Sequence, residues 1–167
     1  AGLMCLDVLP TVDMWDVLHG VHASVAWHLY LMAQPAGLPE RMIEADPDLF
    51  FGHFLDVWST TEIPADVRRE YLAACRDSIA SIVADYRASA FEDIDDDTMD
   101  KQQGNQLGMP VTVIQHDWGF DGRDRWHAWA PQLEHHTVTH GHFMAEDAPE
   151  AISAAIRKLE SRTEPAV

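Results

Sequence analysis

The chain has 167 residues and is 47% hydrophobic, a composition that fits a globular protein able to bury a core. Its formal net charge of −17 argues against a nucleic-acid partner, because phosphate binding requires a basic patch. No apolar stretch reaches the roughly 18 residues of a membrane span, and no signal peptide is expected. We therefore expect a cytoplasmic protein, with Cys5 and Cys75 as free, buried thiols.

The first predicted element is a strand. Residues 3–9 form a short apolar run that ends at Pro10, which is typical of a strand buried on both faces of a parallel sheet. Asp7 is the one charged residue in this run. Since the run starts almost at the first residue, we expect the chain to enter its fold in the middle.

A long helical block is predicted next. Helical patterns cover residues 14–34 and 46–59, and residues 64–86 carry apolar side chains at the three- and four-residue spacing of one amphipathic helix or two joined helices. The acidic stretch 92–105 is predicted to be a loop. This block is too long for an ordinary crossover between two strands, and it indicates a helical cap.

Two further strands and a helix complete the pattern. The strand candidates are 111–114 and 136–139, and a helix is predicted from Pro149 to about Arg162, with Ile152, Ile156 and Leu159 as its buried stripe. This order predicts an α/β fold in three parts. They are a core strand at 1–12, a helical cap at 13–105 and C-terminal core strands with a helix at 106–167.

A histidine follows the third predicted strand. Gly141-His142-Phe143 lies between that strand and the helix led by Pro149, so the imidazole is expected on a loop at the edge of the sheet. Asp7 is expected at the end of the first strand. A buried carboxylate there is costly unless it is paired, and an imidazole N–H is a suitable partner. An alternative is that Asp7 caps the following helix.

Several strings of the sequence resemble the haloacetate (fluoroacetate) dehalogenases of the α/β-hydrolase superfamily. They occur in the order of that family and include Gly-His-Phe at 141–143; the others lie at 6–11, 27–30, 33–40, 46–50 and 85–90. The resemblance implies an α/β-hydrolase fold, represented by its C-terminal strands and helices and a helical cap. It also implies a reaction that needs no cofactor or metal.

The resemblance assigns roles to five residues. His142 matches the catalytic base and Asp7 matches its acid partner. His28 and Tyr86 match the halide-binding residues of the cap, and Trp58 matches a further tryptophan of the cap near the substrate pocket.

The sequence departs from the family pattern in two ways. Leu29 stands where the family has a halide-binding tryptophan, so an indole N–H donor is replaced by an apolar side chain. The nucleophilic aspartate of the family lies on an upstream elbow, with two arginines for the substrate carboxylate, and none of these is matched here. The expected activity is hydrolysis of carbon–halogen bonds of small haloacids. The alternatives are a non-catalytic or truncated remnant, and an epoxide hydrolase or esterase.

A second motif leaves other assignments open. Gln115-His116-Asp117-Trp118-Gly119 resembles a nucleophile elbow, but Gln115 fills a position that needs glycine, and Phe120–Asp124 would interrupt the helix after it. Asp117 remains an alternative nucleophile, and Asp117 or Asp121 an alternative acid. A small-molecule substrate is expected, without nucleic acid or membrane, and the expected protein partner is a second copy or a complementing N-terminal fragment.

Two metal-like patterns are incomplete. His135, His136, His140 and His142 suggest zinc, but no Cys or carboxylate spacing completes such a site. The aspartates at 93, 95 and 97 imitate a calcium loop that lacks its glycine and its final glutamate.

Overall fold

A computed structural model describes residues 1–119 and 121–163 of the chain. It divides into two compact units. Of the described residues, the sheet unit contains 1–10, 58–61, 99–119 and 121–163, and the helical unit contains 11–57 and 62–98. No helix among the described residues is long and apolar enough to cross a membrane.

The sheet unit is built on three parallel strands in the order β1-β2-β3. The strands are β1 (Leu3–Leu6), β2 (Val111–His116) and β3 (Leu133–Val138). Leu3 pairs with Val111, which in turn pairs with Leu133. The central strand β2 is buried over its first five residues, as expected of a strand covered on both faces. All three predicted strands are therefore confirmed, although β3 begins earlier than the sequence indicated.

Parallel pairing brings the carboxyl ends of the three strands to one edge of the sheet. The residues that follow those ends are Asp7 after β1, Asp117 after β2 and the loop of His142 after β3. The topology of the sheet therefore places Asp7, Asp117 and the loop of His142 at the same edge.

Among the described residues, the helices that lie wholly within the sheet unit are α8 (Arg123–Trp129), α9 (Met144–Asp147) and α10 (Pro149–Thr163). Ile152 of α10 packs with Ile114 of β2 and Met144 of α9 in the core of this unit. The predicted final helix is confirmed, and so is the burial of Ile152 and Leu159. Ile156 was predicted to be buried as well, but it is 43% exposed, because the apolar face of α10 is narrower than the spacing indicated.

The helical unit contains mostly short helices. They are α1 (Thr11–Val17), a 3-10 turn (Gly20–Ser24), α2 (Trp27–Met32), α3 (Leu38–Glu44), α4 (Pro47–Trp58), α5 (Ala65–Asp77), α6 (Ile79–Ala90) and α7 (Glu92–Gln103), of which α4 and α7 extend into the sheet unit. Met32, Ile43, Ile79 and Val83 form the core of the helical unit. The pattern at 64–86 is thus two joined helices, which meet at Ser78.

The prediction of a loop at 92–105 is wrong, because residues 92–103 form α7. Acidic residues are favourable in the first turn of a helix, where Glu92, Asp93 and Asp95 lie, and Lys101 lies in the last turn. Asp97 also accepts a hydrogen bond from the backbone N–H of Val12 at 3.0 Å. The charges that suggested a solvated loop therefore support the helix.

Other helix boundaries also differ from the sequence prediction. The single block at 14–34 is interrupted between α1 and α2, and α3 and α8 were not predicted. Gly37 is left-handed with φ of 88°, and its backbone N–H donates to Glu40, which starts α3. The Asp121 carboxylate accepts the backbone N–H of Arg123 at the start of α8. Cys5 and Cys75 are unbonded to each other and only half-buried, not fully buried as predicted.

Candidate active site

Asp7 follows the last residue of β1 and has an unusual backbone conformation. Its φ is +54°, in the left-handed region, where Asp and Asn are tolerated better than most side chains. Its backbone N–H donates to the carbonyl of Ile114 at 2.7 Å, which continues the pairing with β2. Only 3% of the residue is exposed, so its carboxylate must be satisfied by protein donors.

His142 provides one of these donors. It lies in the loop between β3 and α9, 135 positions away from Asp7, and its Nδ1 is 2.7 Å from Asp7 Oδ2. The backbone N–H of His142 donates to the carbonyl of Trp58 at 2.9 Å, which fixes the loop. The structure thus brings together the two residues that the sequence analysis paired. The alternative of Asp7 as a helix cap finds no support, since both of its carboxylate oxygens face histidines.

Asp7 is held in its ionised form. Burial alone would raise its pKa, but hydrogen bonds from the His142 side chain and from the backbone and side chain of His116 lower the pKa below its usual value. The result is a buried negative charge on Nδ1 of His142. A carboxylate in this position orients the imidazole and favours the tautomer with its proton on Nδ1 and a lone pair on Nε2.

His116 is a second histidine on the same carboxylate, and the sequence analysis did not identify it as a site residue. Its backbone N–H donates to Asp7 Oδ1 at 2.8 Å, and its Nδ1 is 3.1 Å from Asp7 Oδ2. The Trp118 indole N–H approaches the same Nδ1 at 2.7 Å. His116 ends β2, next to β1, so its position beside Asp7 was a signal available from the order of the strands.

Asp147 fastens the segment 58–61 to the loop that carries His142. Its carboxylate accepts hydrogen bonds from Ser59, from Thr60 and Thr61, and from the backbone N–H of Gly141. A side chain at Gly141 would lie 2.3 Å from the carbonyl of Trp58, so this approach requires glycine. The Trp58 ring consequently lies edge-on to the His142 ring, with 5.0 Å between centroids.

We predict that Asp147→Asn destabilises the chain by about 2 kcal/mol at pH 7, the scale of lost charge-assisted hydrogen bonds. Partial burial opposes ionisation, but the hydrogen bonds from Thr61, Thr60 and Ser59 hold the pKa of Asp147 far below its usual value of 3.8. Because the folded pKa is lowered, this stabilisation is complete above the unfolded pKa and is lost as the pH falls below it. Urea unfolding should therefore show a gap between wild type and variant that narrows from pH 7 to pH 3.

The matched control for this measurement is Asp124→Asn. Asp124 is exposed on α8 in the same unit, so its replacement should change stability by less than about 0.5 kcal/mol. A gap for Asp147→Asn that stays constant with pH would contradict the ionic role given to this carboxylate.

The alternative acids lie elsewhere. Asp117 is exposed, and its carboxylate accepts the backbone N–H of Gly119 at 2.8 Å. The Asp121 carboxylate lies 3.6 Å from Nδ1 of the buried His135, not beside His142. Phe120, the first residue of the predicted interruption, lies outside the described residues. Among the three candidates, the geometry associates only Asp7 with His142.

The residues matched to halide binding lie in the helical unit, apart from Trp58. His28 on α2 is buried, and its ring lies edge-on to that of Tyr86 on α6, with 5.7 Å between centroids. Burial, together with the nearby charge of Asp85, raises the pKa of Tyr86, so the phenol keeps its proton at neutral pH. Leu29 is 4% exposed and cannot supply the hydrogen bond that a tryptophan would.

No group of three His, Cys, Asp or Glu side chains is arranged to hold a metal ion within residues 1–119 and 121–163. Three of the four histidines from His135 to His142 contact different residues, among them His142, which contacts Asp7. For example, His135 contacts Gln115, and His136 contacts Glu134. The aspartates at 93, 95 and 97 lie on α7 rather than in a loop.

Comparison with known proteins defines the class. Solved structures with the same architecture include an α/β-hydrolase from Nostoc sp PCC 7120, which is 26% identical with a TM-score of 0.86 and matches 96% of this chain and 57% of its own length. A Pseudomonas aeruginosa protein, provisionally named an epoxide hydrolase, is 33% identical with a TM-score of 0.87 over the same shares of both chains. The chain has the fold of the α/β-hydrolase superfamily.

Within that superfamily the chain is similar to a fluoroacetate dehalogenase from Burkholderia sp. The two are 30% identical over 168 residues, which cover 95% of this chain and 55% of the relative. A mutant of the Pseudomonas aeruginosa protein with bound MFA is 32% identical, with a TM-score of 0.87. No family model matches the chain. The chain thus spans little more than half the length of the relatives that it matches.

Proposed function

We propose that the full-length protein hydrolyses carbon–halogen bonds of small haloacids, with His142 as base and Asp7 as its acid partner. The observation that carries this proposal is the 2.7 Å contact between His142 Nδ1 and Asp7 Oδ2 at the carboxyl edge of the parallel sheet. The similarity to a fluoroacetate dehalogenase over 95% of the chain supports it.

The proposed reaction has two steps. An aspartate carboxylate attacks the carbon that bears the halogen. This aspartate belongs to the part of the full-length protein that lies outside the 167-residue chain. A C–O bond forms, the C–X bond breaks, and the halide leaves with the electron pair. Water then attacks the ester carbonyl while His142 Nε2 takes its proton, and the hydroxy acid and the carboxylate are released. The proton finally passes from His142 to solvent.

Asp7 keeps His142 in the tautomer that this second step requires. With the proton on Nδ1 directed at Asp7, the lone pair of Nε2 is available to the water molecule. The ionised carboxylate then stabilises the imidazolium during the transfer. His28 and Tyr86 are proposed to donate hydrogen bonds to the departing halide, and Trp58 is proposed to border the substrate site.

We expect Leu29 to influence the relative rates at which different halides are released. Fluoride is small and strongly hydrated, so its departure depends on every available donor, and Leu29 removes one of them. Loss of a single well-placed donor costs about 10²- to 10³-fold in rate in comparable sites. We therefore expect the full-length protein to act on chloroacetate and bromoacetate faster than on fluoroacetate.

The test is halide release from chloroacetate, bromoacetate and fluoroacetate by the full-length protein, with the 167-residue chain assayed in parallel. Release from chloroacetate by the full-length protein is expected, and the isolated chain should release none because it holds no matched nucleophile. Absence of release by the full-length protein with all three haloacids would favour a non-catalytic remnant and contradict the proposal.

An epoxide hydrolase is the second candidate, since 33%-identical structures carry that provisional name. Such an enzyme protonates the ring oxygen with paired tyrosines, for which Tyr30 and Tyr86 are the candidates. The Tyr30 hydroxyl instead donates to the carbonyl of Leu18 at 2.8 Å. This hydrogen bond argues against Tyr30 as one of a tyrosine pair, and an epoxide substrate in the same assay distinguishes the two activities.

A further inference from the structure

Two imidazoles share the single carboxylate of Asp7. His142 Nδ1 lies 2.7 Å from Oδ2, while His116 Nδ1 lies 3.1 Å from Oδ2 and 3.2 Å from Oδ1. The backbone N–H of His116 adds a third donor at 2.8 Å from Oδ1. His116 therefore contacts both carboxylate oxygens of Asp7.

Nδ1 of His116 cannot satisfy all of its neighbours at once. An indole N–H only donates, so the Trp118 contact at 2.7 Å requires a lone pair on Nδ1. The Asp7 contacts require a proton on the same atom. The two hydrogen-bond patterns are mutually exclusive, and the tautomer of His116 decides between them.

The charge of Asp7 favours one pattern. A hydrogen bond to an ionised carboxylate is roughly twice as strong as one between neutral groups, and a lone pair facing a buried carboxylate is repelled. Asp7 contacts His116 directly, His142 shares that carboxylate, and Asp117 is the next residue along the chain. The Asp117 carboxylate is exposed and accepts the N–H of Gly119, so Asp7 is the negative charge that His116 contacts.

We propose that His116 is a positioning residue, which donates its Nδ1 proton to Asp7 and holds the carboxylate against His142. Asp7 is then fixed by three donors, and its rotation away from His142 is prevented. Trp118 is the competing donor, which contacts His116 when the proton moves to Nε2. This inference rests on the proposed function insofar as Asp7 is the acid partner of the base.

The direct test is the tautomer of His116 in the ¹⁵N-histidine-labelled 167-residue chain at neutral pH, measured by NMR and assigned with a His116 variant. We expect the proton on Nδ1. A lone pair on Nδ1 with the proton on Nε2 would overturn the proposal. This measurement needs no turnover, so it stays informative even if haloacid hydrolysis fails.

Two substitutions then separate positioning from packing. In the His116→Asn variant, the side-chain amide can supply an N–H close to the position of the wild-type Nδ1. In the His116→Leu variant, an apolar side chain of similar volume replaces the imidazole and supplies no donor. We expect the resonance of the His142 Nδ1 proton to be preserved in the Asn variant and to be weakened or shifted in the Leu variant. Equal His142 spectra in wild type and the Leu variant would contradict the inference.

In the full-length enzyme, the same two His116 variants test the effect on catalysis. His116→Leu should lower kcat by about tenfold or more, the effect of losing one charge-assisted hydrogen bond, with little change in KM. His116→Asn should recover most of that loss. The control is His127→Gln on α8, an exposed residue for which neither kcat nor the His142 spectrum should change. A kcat for the Leu variant equal to that of wild type would also overturn the proposal.

Discussion

Replacement of His142 by alanine is expected to lower the steady-state turnover of the full-length protein with chloroacetate by at least about 10³-fold. General acid–base catalysis contributes a rate factor on the order of 10² to 10⁴, and alanine removes the Nε2 lone pair that would accept the proton of water. Substrate binding and ester formation should continue, because neither requires the imidazole. The measurement is kcat from continuous halide release.

The matched control is His140→Ala, two positions away on the same loop and half-buried. Its turnover should stay close to that of wild type, since only His142 contacts Asp7 among these two. Equal losses for the two variants would indicate that the loop, rather than the imidazole at 142, determines the rate.

Asp7→Asn is expected to have the second-largest effect, a loss of about 10³-fold in kcat. An amide can occupy the same volume, but it carries no charge to stabilise the imidazolium and can present an N–H to His142, which selects the wrong tautomer. Asn tolerates the left-handed conformation of Asp7, so the variant should fold. Circular dichroism and urea unfolding would verify the fold, and halide release would give kcat.

Asp117→Asn serves as the comparison for this variant. Asp117 is the alternative acid of the sequence, but its carboxylate is exposed and binds the backbone of Gly119. Its loss should leave kcat within a few-fold of wild type. A larger loss for Asp117→Asn than for Asp7→Asn would transfer the role of acid to Asp117 and require a different active-site geometry.

The sheet and the His142–Asp7 contact could be predicted from sequence because each depends on a strong local signal. The apolar runs at 3–9 and 111–114 predict buried strands, and parallel pairing then brings their carboxyl ends to one edge. Asp7 was conspicuous as a charge in an apolar run. A glycine before His142 and a proline-led helix after it indicated a loop at the same edge.

Other features could not be predicted because they depend on tertiary contacts. The helix α7 is rich in aspartate, and its stability comes from the position of these charges in its first turn and from the bond between Asp97 and Val12. The position of His116 at the end of a predicted strand was visible in the sequence, but its contact with Asp7 depends on the pairing of β2 with β1. The sequence analysis assigned no role to Asp147, because its partners Ser59, Thr60 and Thr61 lie more than eighty positions away.

The measurement that tests the central claim most directly is mass spectrometry of the intact full-length His142→Ala variant after mixing with chloroacetate. If His142 is the base for ester hydrolysis, the variant should release about one halide per protein molecule and accumulate the covalent ester on an aspartate, while the wild type should show none at steady state. Continued turnover by the variant without an accumulated ester would contradict the account.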